Sequence, residues 1–423
     1  MGRHSKRQLG MNHNKWVLIK NFFFLGLLQI MRYFIPIIIL PYITRVIGVV
    51  HFGELSVATA SCFIIQVIVD YGFNYMGARE VATNKTNLEY ISHLYSTITF
   101  SRCFIFLVCS IVMMLLTYIV PTLAEIRLLV FIALFPVLMS IFMPEWIYQG
   151  LEEMEFITYT HVVSRIVYVV LIFTLIKEED DYVLYPIFNV VGLFLASVAS
   201  LIILRRKNIR LHFVSFKQIQ QSLLEAKDLF LNDVCSRLLT SLYSILVGNF
   251  LSFKDSGIYS SCSKLIVGAH HGQSIINRVF YPFLARHRNK YAHYFFINLG
   301  VSAFIAFTGF LLTPFIYTIF YPESFHEGIM VMRIMTIGLL FSGISGSLGS
   351  NYLIIRKKER IVRNISAFTL VFGASLYTIC LLKFGLIGAT VGALCVTIIR
   401  CVLLAFFATR EMKKDKNQVT VKC

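Results

Sequence analysis

Long uncharged segments constrain this chain more than any other feature. Leu55 to Val69 contains fifteen residues without a charge, and comparable segments recur along the sequence. Charged residues make up 14% of the 423 positions and hydrophobic residues 57%, and the mean hydropathy is +0.72. A soluble domain is usually about a quarter charged. The sequence therefore predicts an integral, multi-pass membrane protein.

The number of membrane-spanning helices can be estimated by comparing the lengths of the apolar segments with the thickness of the bilayer. A hydrocarbon core of about 30 Å needs about 20 mostly apolar helical residues. Twelve segments satisfy this rule: 21–43, 53–77, 95–119, 128–146, 157–176, 183–204, 229–251, 257–281, 294–320, 328–354, 364–382 and 386–409. The first is too long for a cleaved signal peptide, and no small-x-small cleavage site follows it. The predicted fold class is an all-α polytopic membrane protein of about twelve transmembrane helices.

Lysine and arginine orient these spans, because cytoplasmic loops collect them. The two tails and the connections on their side hold 26 of the 39 Lys and Arg residues, whereas the five opposite connections hold one each. Both termini are therefore predicted to be cytoplasmic. The net charge of +17 is spread over short loops facing anionic lipid, so it predicts contact with membrane lipids and no nucleic-acid partner.

The spans divide evenly into two predicted lobes. Residues 21–204 would form an amino-terminal lobe of six spans and residues 229–409 a carboxyl-terminal lobe of six. A cytoplasmic linker at 205–228 would join them, with cytoplasmic tails at 1–20 and 410–423. Six is even, so both lobes enter the membrane in the same orientation, as parallel repeats do. A faint sequence echo between "VIGVVHFGELSVATAS" and "LVGNFLSFKDSGIYSSCS" agrees with such a repeat.

Charged residues inside the spans mark candidate functional positions. Arg102, Arg278 and Arg333 lie near predicted span ends, where long side chains can reach the interface by snorkelling. Five cations lie about 10 to 18 Å from the nearest span end: Arg32, Arg165, Arg237, Lys264 and Arg400. A charge at that depth costs about 3 kcal/mol or more, so it usually faces a bundle interior or an aqueous cavity.

Helical spacing places polar residues on common faces of the spans. The predicted faces are Gln66, Asp70 and Asn74 on span two; His161 and Arg165 on span five; Asp233, Arg237, Ser241, Ser244 and Gly248 on span seven; and Ser260, Lys264, Gly268 and His271 on span eight. Some charges could form buried ion pairs, and Asp233 with Arg237 at i+4 fits that interpretation. However, Asp70 and Asp233 are the only acids assigned to this depth. An excess of about three positive charges would remain for an anionic ligand.

Motifs of enzymatic chemistry are missing from the sequence. No G-x-x-x-x-G-K-[ST] phosphate loop is present. The nine cysteines include no C-x-x-C pair, and most lie in spans, where a thiol is ordinarily a small apolar group. The chain is therefore predicted to be no enzyme, with no metal site and no bound cofactor.

Three segments of the amino-terminal third carry a family resemblance. "NFFFLGLLQIMRYFIPIIILPYITRVIG", "FGELSVATASCFIIQVIVDYGFNYMGAREVA" and "MPEWIYQGLEEM" resemble the O-antigen flippases called Wzx. These belong to the polysaccharide transporter branch of the superfamily that also contains multidrug and toxin extruders and lipid II flippases. The specific matches are Pro41 and Tyr42 at the end of span one, Phe52 and Gly53, the D-Y-G-F-N run at Asp70 to Asn74, and P-x-W-x-x-Q-G-x-E at Pro144 to Glu152, which are specific in combination.

The resemblance implies a flippase of the bacterial inner membrane. It would move undecaprenyl-pyrophosphate-linked oligosaccharide units to the periplasmic leaflet by alternating access, beside a polysaccharide polymerase and a chain-length regulator. Arg32, Arg165, Arg237, Lys264 and Arg400 would line the pyrophosphate site, with Gln66, Asp70, Asn74, Asp233 and His271 as polar or coupling candidates for a proton or sodium gradient. Three alternatives stay open: a multidrug exporter, a lipid II flippase and, least favoured, a membrane polymerase.

Asp70 raises a separate question, because a carboxylate at the end of an apolar run needs a cation, water or a proton. One hypothesis pairs it with a cation on a neighbouring helix, Arg32 being the nearest in sequence. The other makes it a proton carrier that couples flipping to the proton gradient.

Overall fold

Helices build the whole part of the chain that the structure, a computed structural model, describes: residues 3–287 and 290–420, in which no strand occurs. The α-helices are α1 Arg3–Asp70, α2 Phe73–Thr83, α3 Leu88–Ile119, α4 Pro121–Glu125, α5 Arg127–Ile141, α6 Glu145–Leu151, α7 Met154–Leu175, α8 Leu184–Arg206, α9 Phe216–Phe250, α10 Phe253–Arg286, α11 Tyr291–Phe320, α12 Gly328–Leu348 and α13 Glu359–Thr420. A π-helical turn, Gly349–Leu353, follows α12. The predicted all-α fold is confirmed.

Eight helical stretches of the described residues are long and apolar enough to cross a membrane. Two of them are pairs of helices joined at a kink, at Gly48 (φ 70°) in α1 and at Gly385 (φ 59°) in α13. The eight stretches therefore account for ten of the twelve predicted spans. Helices α9 and α10 occupy the positions of the other two predicted spans, 229–251 and 257–281. The chain is a multi-pass membrane protein, while the cytoplasmic placement of both termini stays a prediction.

Contacts divide the described residues into two compact units. Unit 1 contains residues 3–42 and 61–234, and unit 2 contains residues 43–60, 235–287 and 290–420. Helix α1 therefore contributes to both, and its portion around the Gly48 kink belongs to unit 2. The lobe boundaries at 21–204 and 229–409 rest on the span count and stay a prediction.

The core of unit 1 joins two of the motifs singled out in the sequence. Trp146, which is 1% exposed, packs against Gly77, where an added Cβ would lie 2.5 Å from the indole ring. Phe73, Tyr95 and Tyr148 are buried in the same cluster. Much of the motif sequence in α2 and α6 therefore serves helix packing.

Three ion pairs tie one end of unit 1 together. The acidic segment that connects α6 to α7 accepts lysines from three separate parts of the chain. The pairs are Lys20–Glu155 at 2.6 Å, Lys85–Glu152 at 2.8 Å and Lys207–Glu153 at 2.7 Å. This segment is consequently held to α1, to the α2–α3 connection and to the end of α8.

Unit 2 contains a helix crossing made by two glycines. A Cβ added to Gly53 of α1 would lie 1.8 Å from the backbone oxygen of Phe253, and one added to Gly257 of α10 would lie 2.2 Å from that of Val49. Each helix thus presses its glycine against the backbone of the other. The two glycines lie in the two segments whose sequences echo each other.

Gly53→Ala is expected to lower the free energy of unfolding by about 1–3 kcal/mol, the range for overpacking a close-packed site. The added methyl group meets backbone atoms, which cannot move aside as a flexible side chain could. Thermal unfolding of the purified protein measures the loss. Gly272→Ala is the matched control, because that glycine is helical and has nothing within 4 Å of its added Cβ. Equal midpoints for the two variants would contradict the crossing.

Candidate functional site

The polar face predicted around Asp70 forms a connected network in unit 1. Gln66 Nε2 donates to Asp70 Oδ1 at 2.9 Å, and Ser140 Oγ donates to Gln66 Oε1 at 3.1 Å. Arg102 Nη2 lies 3.4 Å from Asp70 Oδ1 and donates to Asn74 Oδ1 at 2.8 Å. Asp70 and Asn74 therefore contact one guanidinium, and Gln66 joins the network through Asp70.

Arg102 corrects two of the predictions from sequence. It does not snorkel: it is 3% exposed, and it supplies the ion pair of Asp70 that was assigned to Arg32. The depth of Arg102 was underestimated because the predicted start of its helix was too late in the sequence. Helix α3 begins at Leu88, capped by Asn87, seven residues before the predicted span. Arg102 consequently lies about 20 Å along the helix rather than about 10 Å.

Arg32 belongs to a second charged cluster of unit 1, with Glu145 and His161. Arg32 Nη2 lies 2.7 Å from Glu145 Oε1 and 3.0 Å from His161 Nε2, which in turn lies 2.8 Å from Glu145 Oε1. The three side chains come from α1, α6 and α7. The Arg32 and Glu145 side chains keep about a third of their surface accessible, so the cluster is not sealed.

The protonation of His161 decides which of these contacts is a hydrogen bond. A protonated Nε2 can donate to Glu145 but faces an arginine donor at 3.0 Å, whereas an unprotonated Nε2 can accept from Arg32 but faces a carboxylate oxygen at 2.8 Å. One nitrogen cannot satisfy both neighbours. Gain or loss of a proton on His161 therefore exchanges one favourable contact for the other.

Glu145 is the functional candidate that the sequence reasoning missed. It was placed next to the predicted end of span four, although no other acid occurs between Glu125 and Glu152 and the residue stands inside the P-x-W motif. Correcting for Glu145 and Arg102 gives three deep acids and six deep cations. The difference of three positive charges is unchanged.

Three of the deep cations have no carboxylate partner among the described residues. Arg165 Nη1 donates to Asn189 Oδ1 at 3.3 Å. Lys264 is exposed in this structure, and its Nζ lies 4.2 Å above the centre of the Phe52 ring. Arg400 Nε is buried without an acceptor, and the side chain lines a cavity inside unit 2. The uncompensated charge is thus divided between unit 1, which contains Arg165, and unit 2, which contains Lys264 and Arg400.

The remaining predicted residues lie on α9 and α10. Asp233 and Arg237 are both half-buried on α9, and each has an interaction partner. Whether they pair with each other stays a prediction. His271 is half-buried on α10, and its neighbour His270, which was not selected from the sequence, is the one that lines the unit 2 cavity. Assignment of all ten residues to a ligand site stays a prediction.

Solved structures with this fold are transporters and flippases. The lipid II flippase MurJ superposes with a TM-score of 0.67 at 16% identity, covering 90% of this chain and 87% of that one. A multidrug resistance MATE transporter of the MOP superfamily gives 0.64 at 10% identity, covering 90% and 98%. The chain therefore shares its fold with these two structures.

The chain belongs to the polysaccharide biosynthesis protein family, whose model matches residues 18–288. A proposed O-antigen transporter of Shigella dysenteriae is 25% identical over 357 residues, which are 82% of this chain and 88% of the relative. Another from Escherichia coli K12 is 24% identical over 171 residues, 40% and 41% of the two chains. The family resemblance noted in the amino-terminal motifs is confirmed.

Asp70→Asn is expected to lower the free energy of unfolding by about 3 kcal/mol, because it leaves the buried Arg102 charge without its counter-ion. Asp70→Asn combined with Arg102→Met should recover most of that loss, since no unpaired charge remains. Thermal unfolding of the four proteins of this double-mutant cycle gives the coupling free energy.

Glu323→Gln is the control for loss of a carboxylate, because Glu323 is exposed in the α11–α12 connection. Its midpoint should match that of the wild type. An Asp70→Asn midpoint equal to that of this control would contradict the buried ion pair.

Proposed function

We propose that this protein flips undecaprenyl-diphosphate-linked oligosaccharide units from the cytoplasmic to the periplasmic leaflet of the bacterial inner membrane, for O-antigen or related polysaccharide assembly. The observation that carries the proposal is the uncompensated charge of Arg165, Lys264 and Arg400 in a polysaccharide-family chain with a flippase fold. The relatives from S. dysenteriae and E. coli support it through their assignment as O-antigen transporters.

The charge balance supports an anionic substrate. A diphosphate diester carries about two negative charges, and moving an unpaired charge into hydrocarbon is prohibitive. Cations held without carboxylates avoid that penalty, and the planar fork of arginine fits phosphoryl oxygens. In the proposed transport cycle, the cations of each unit, Arg165 in unit 1 and Lys264 and Arg400 in unit 2, take the place of water around phosphoryl oxygens.

The same feature argues against the principal alternative, a multidrug exporter. Many drugs exported in this way are cations, and a site with excess positive charge repels them. A lipid II flippase differs from the proposed protein in the glycan of its substrate. Family membership supports the polysaccharide substrate over lipid II, and supports a carrier over a polymerase or another enzyme.

We also propose that the Arg32–Glu145–His161 cluster couples transport to a proton gradient. Proton exchange at His161 Nε2 redistributes the hydrogen bonds among α1, α6 and α7, so it gives those helices two alternative contact patterns. Asp70 is better suited to a structural role, because Arg102, Gln66 and their neighbours already satisfy it. A polysaccharide polymerase and a chain-length regulator are the proposed partners downstream.

Deletion of the gene in its own host should abolish the surface polysaccharide and accumulate lipid-linked units in the cytoplasmic leaflet. Re-expression of the wild type should restore the polymer, and Arg165→Gln with Lys264→Gln and Arg400→Gln should not, at equal membrane level. Polymer staining and protease or lectin accessibility of the lipid-linked units give the measurement.

The matched control also removes three cations, but at exposed positions: Arg79→Gln, Lys383→Gln and Arg410→Gln. It should restore the polymer fully. Normal polymer in the deletion strain, together with raised sensitivity to cationic drugs, would favour the exporter instead.

His161→Gln should keep flipping active but remove its dependence on the proton gradient, because glutamine can hydrogen-bond but cannot titrate. The measurement is flipping of a labelled lipid-linked oligosaccharide in proteoliposomes, with and without a protonophore. His293→Gln is the control, since His293 is exposed at the start of α11. Unaltered gradient dependence in His161→Gln would refute this coupling site.

A further inference from the structure

A cavity of about 480 Å³ lies inside unit 2, among α9, α10, α12 and α13. Its walls combine aliphatic side chains, Leu239, Ile266 and Leu394 among them, with the hydroxyl groups of four serines and three threonines. Arg400 and His270 also line it, and no carboxylate does so among the described residues. The cavity therefore combines an apolar wall with positive charge.

Three hydrogen-bond donors of the lining have no acceptor. Arg400 Nε and the hydroxyls of Tyr243 and Ser345 are buried without a partner in the described residues. A buried donor left unpaired costs about 1–3 kcal/mol, and more when the group is charged. Three such groups on one cavity indicate a ligand that accepts hydrogen bonds.

The threonine hydroxyls of the cavity already donate hydrogen bonds to the backbone. Thr369, Thr390 and Thr397 donate to backbone oxygens one turn earlier, Ile365, Leu386 and Ala393, each at 2.9 Å. Their hydroxyl protons are therefore already used. The donors left for a ligand include the guanidinium, the Tyr243 and Ser345 hydroxyls and the imidazole, a set that suits a phosphoryl anion.

We propose that the unit 2 cavity binds the diphosphate and the first isoprene units of a polyprenyl diphosphate. Arg400 and Tyr243 would donate to the phosphoryl oxygens, and the aliphatic wall would bury the adjoining prenyl carbons. The inference rests on the proposed function, since it identifies the anchor through which the carrier lipid is held. It also separates Arg400 from Arg32, whose charge Glu145 already neutralises.

Ligand-induced stabilisation of the purified full-length protein in nanodiscs tests the site, because binding to the folded state raises the unfolding midpoint. The probes are inorganic pyrophosphate, farnesyl diphosphate and farnesol. Farnesyl diphosphate should bind at least tenfold more tightly than either of the others. Pyrophosphate equal to farnesyl diphosphate would overturn the lipid assignment, and no shift with either diphosphate would overturn the site.

Arg400→Gln should reduce farnesyl diphosphate affinity at least tenfold, to the level of farnesol, and Arg400→Lys should lose less. Tyr243→Phe, which keeps the ring, should weaken farnesyl diphosphate a few fold without altering farnesol. Arg333→Gln is the control, because Arg333 stacks on Phe310 and does not line the cavity. Equal farnesyl diphosphate affinity in Arg400→Gln, or in Tyr243→Phe if the former fails to fold, would overturn the proposal.

Measuring the surface polysaccharide distinguishes failure of this inference from failure of the proposed function. Arg400→Gln that loses farnesyl diphosphate binding yet makes normal polymer would overturn the cavity as the substrate anchor and leave the flippase function standing. Arg400-dependent binding in a protein whose deletion does not affect polymer would overturn the function instead, and with it the anchor role.

Discussion

The cost of placing charge in a low-dielectric helical bundle governs this structure. Each buried cation needs an anion, a π face, hydrogen-bond acceptors or water. In unit 1, most of these cations form ion pairs within the unit: Arg102 with Asp70, and Arg32 with Glu145. Unit 2 leaves Lys264 and Arg400 without carboxylates among the described residues. The two units therefore differ in electrostatic character although each is built from long apolar helices.

We propose separate tasks for the two units on the basis of this difference. The His161 Nε2 atom lies between Arg32 and Glu145 and can bond to either one, an arrangement that suits a switch. Unpaired charges beside an aliphatic wall, as at Arg400, suit the capture of an amphiphilic anion. A carrier for a lipid-linked diphosphate needs both properties, and neither alone distinguishes it from other members of the superfamily. Family membership and the positive excess together favour the polysaccharide carrier.

Helical periodicity in the sequence predicted contacts between residues of the same helix. It failed to predict contacts between residues of different helices. The i+4 spacing of Gln66 and Asp70 placed them in contact, as they are at 2.9 Å, and the apolar segments located the helices. The depth of Arg102 was misjudged because residues 88–94 are too polar to count as span, although they are helical. Asp70 was matched to Arg32 by nearness in sequence, whereas packing brings Arg102. The Arg400 cavity needs four helices at once, so no single segment could predict it.

Helix α1 also has a consequence for biogenesis. Its segment 43–60 completes unit 2, and Gly53 finds its close partner only at Gly257. At a synthesis rate of about 5–20 residues per second, the first segment leaves the ribosome roughly 10 to 40 s before the second. During that interval the glycine surface of the first hairpin has no partner from its own chain. The membrane insertion machinery or the surrounding lipid must therefore cover it, so this span pair completes its packing only after a helix about 200 residues later in the chain has been made.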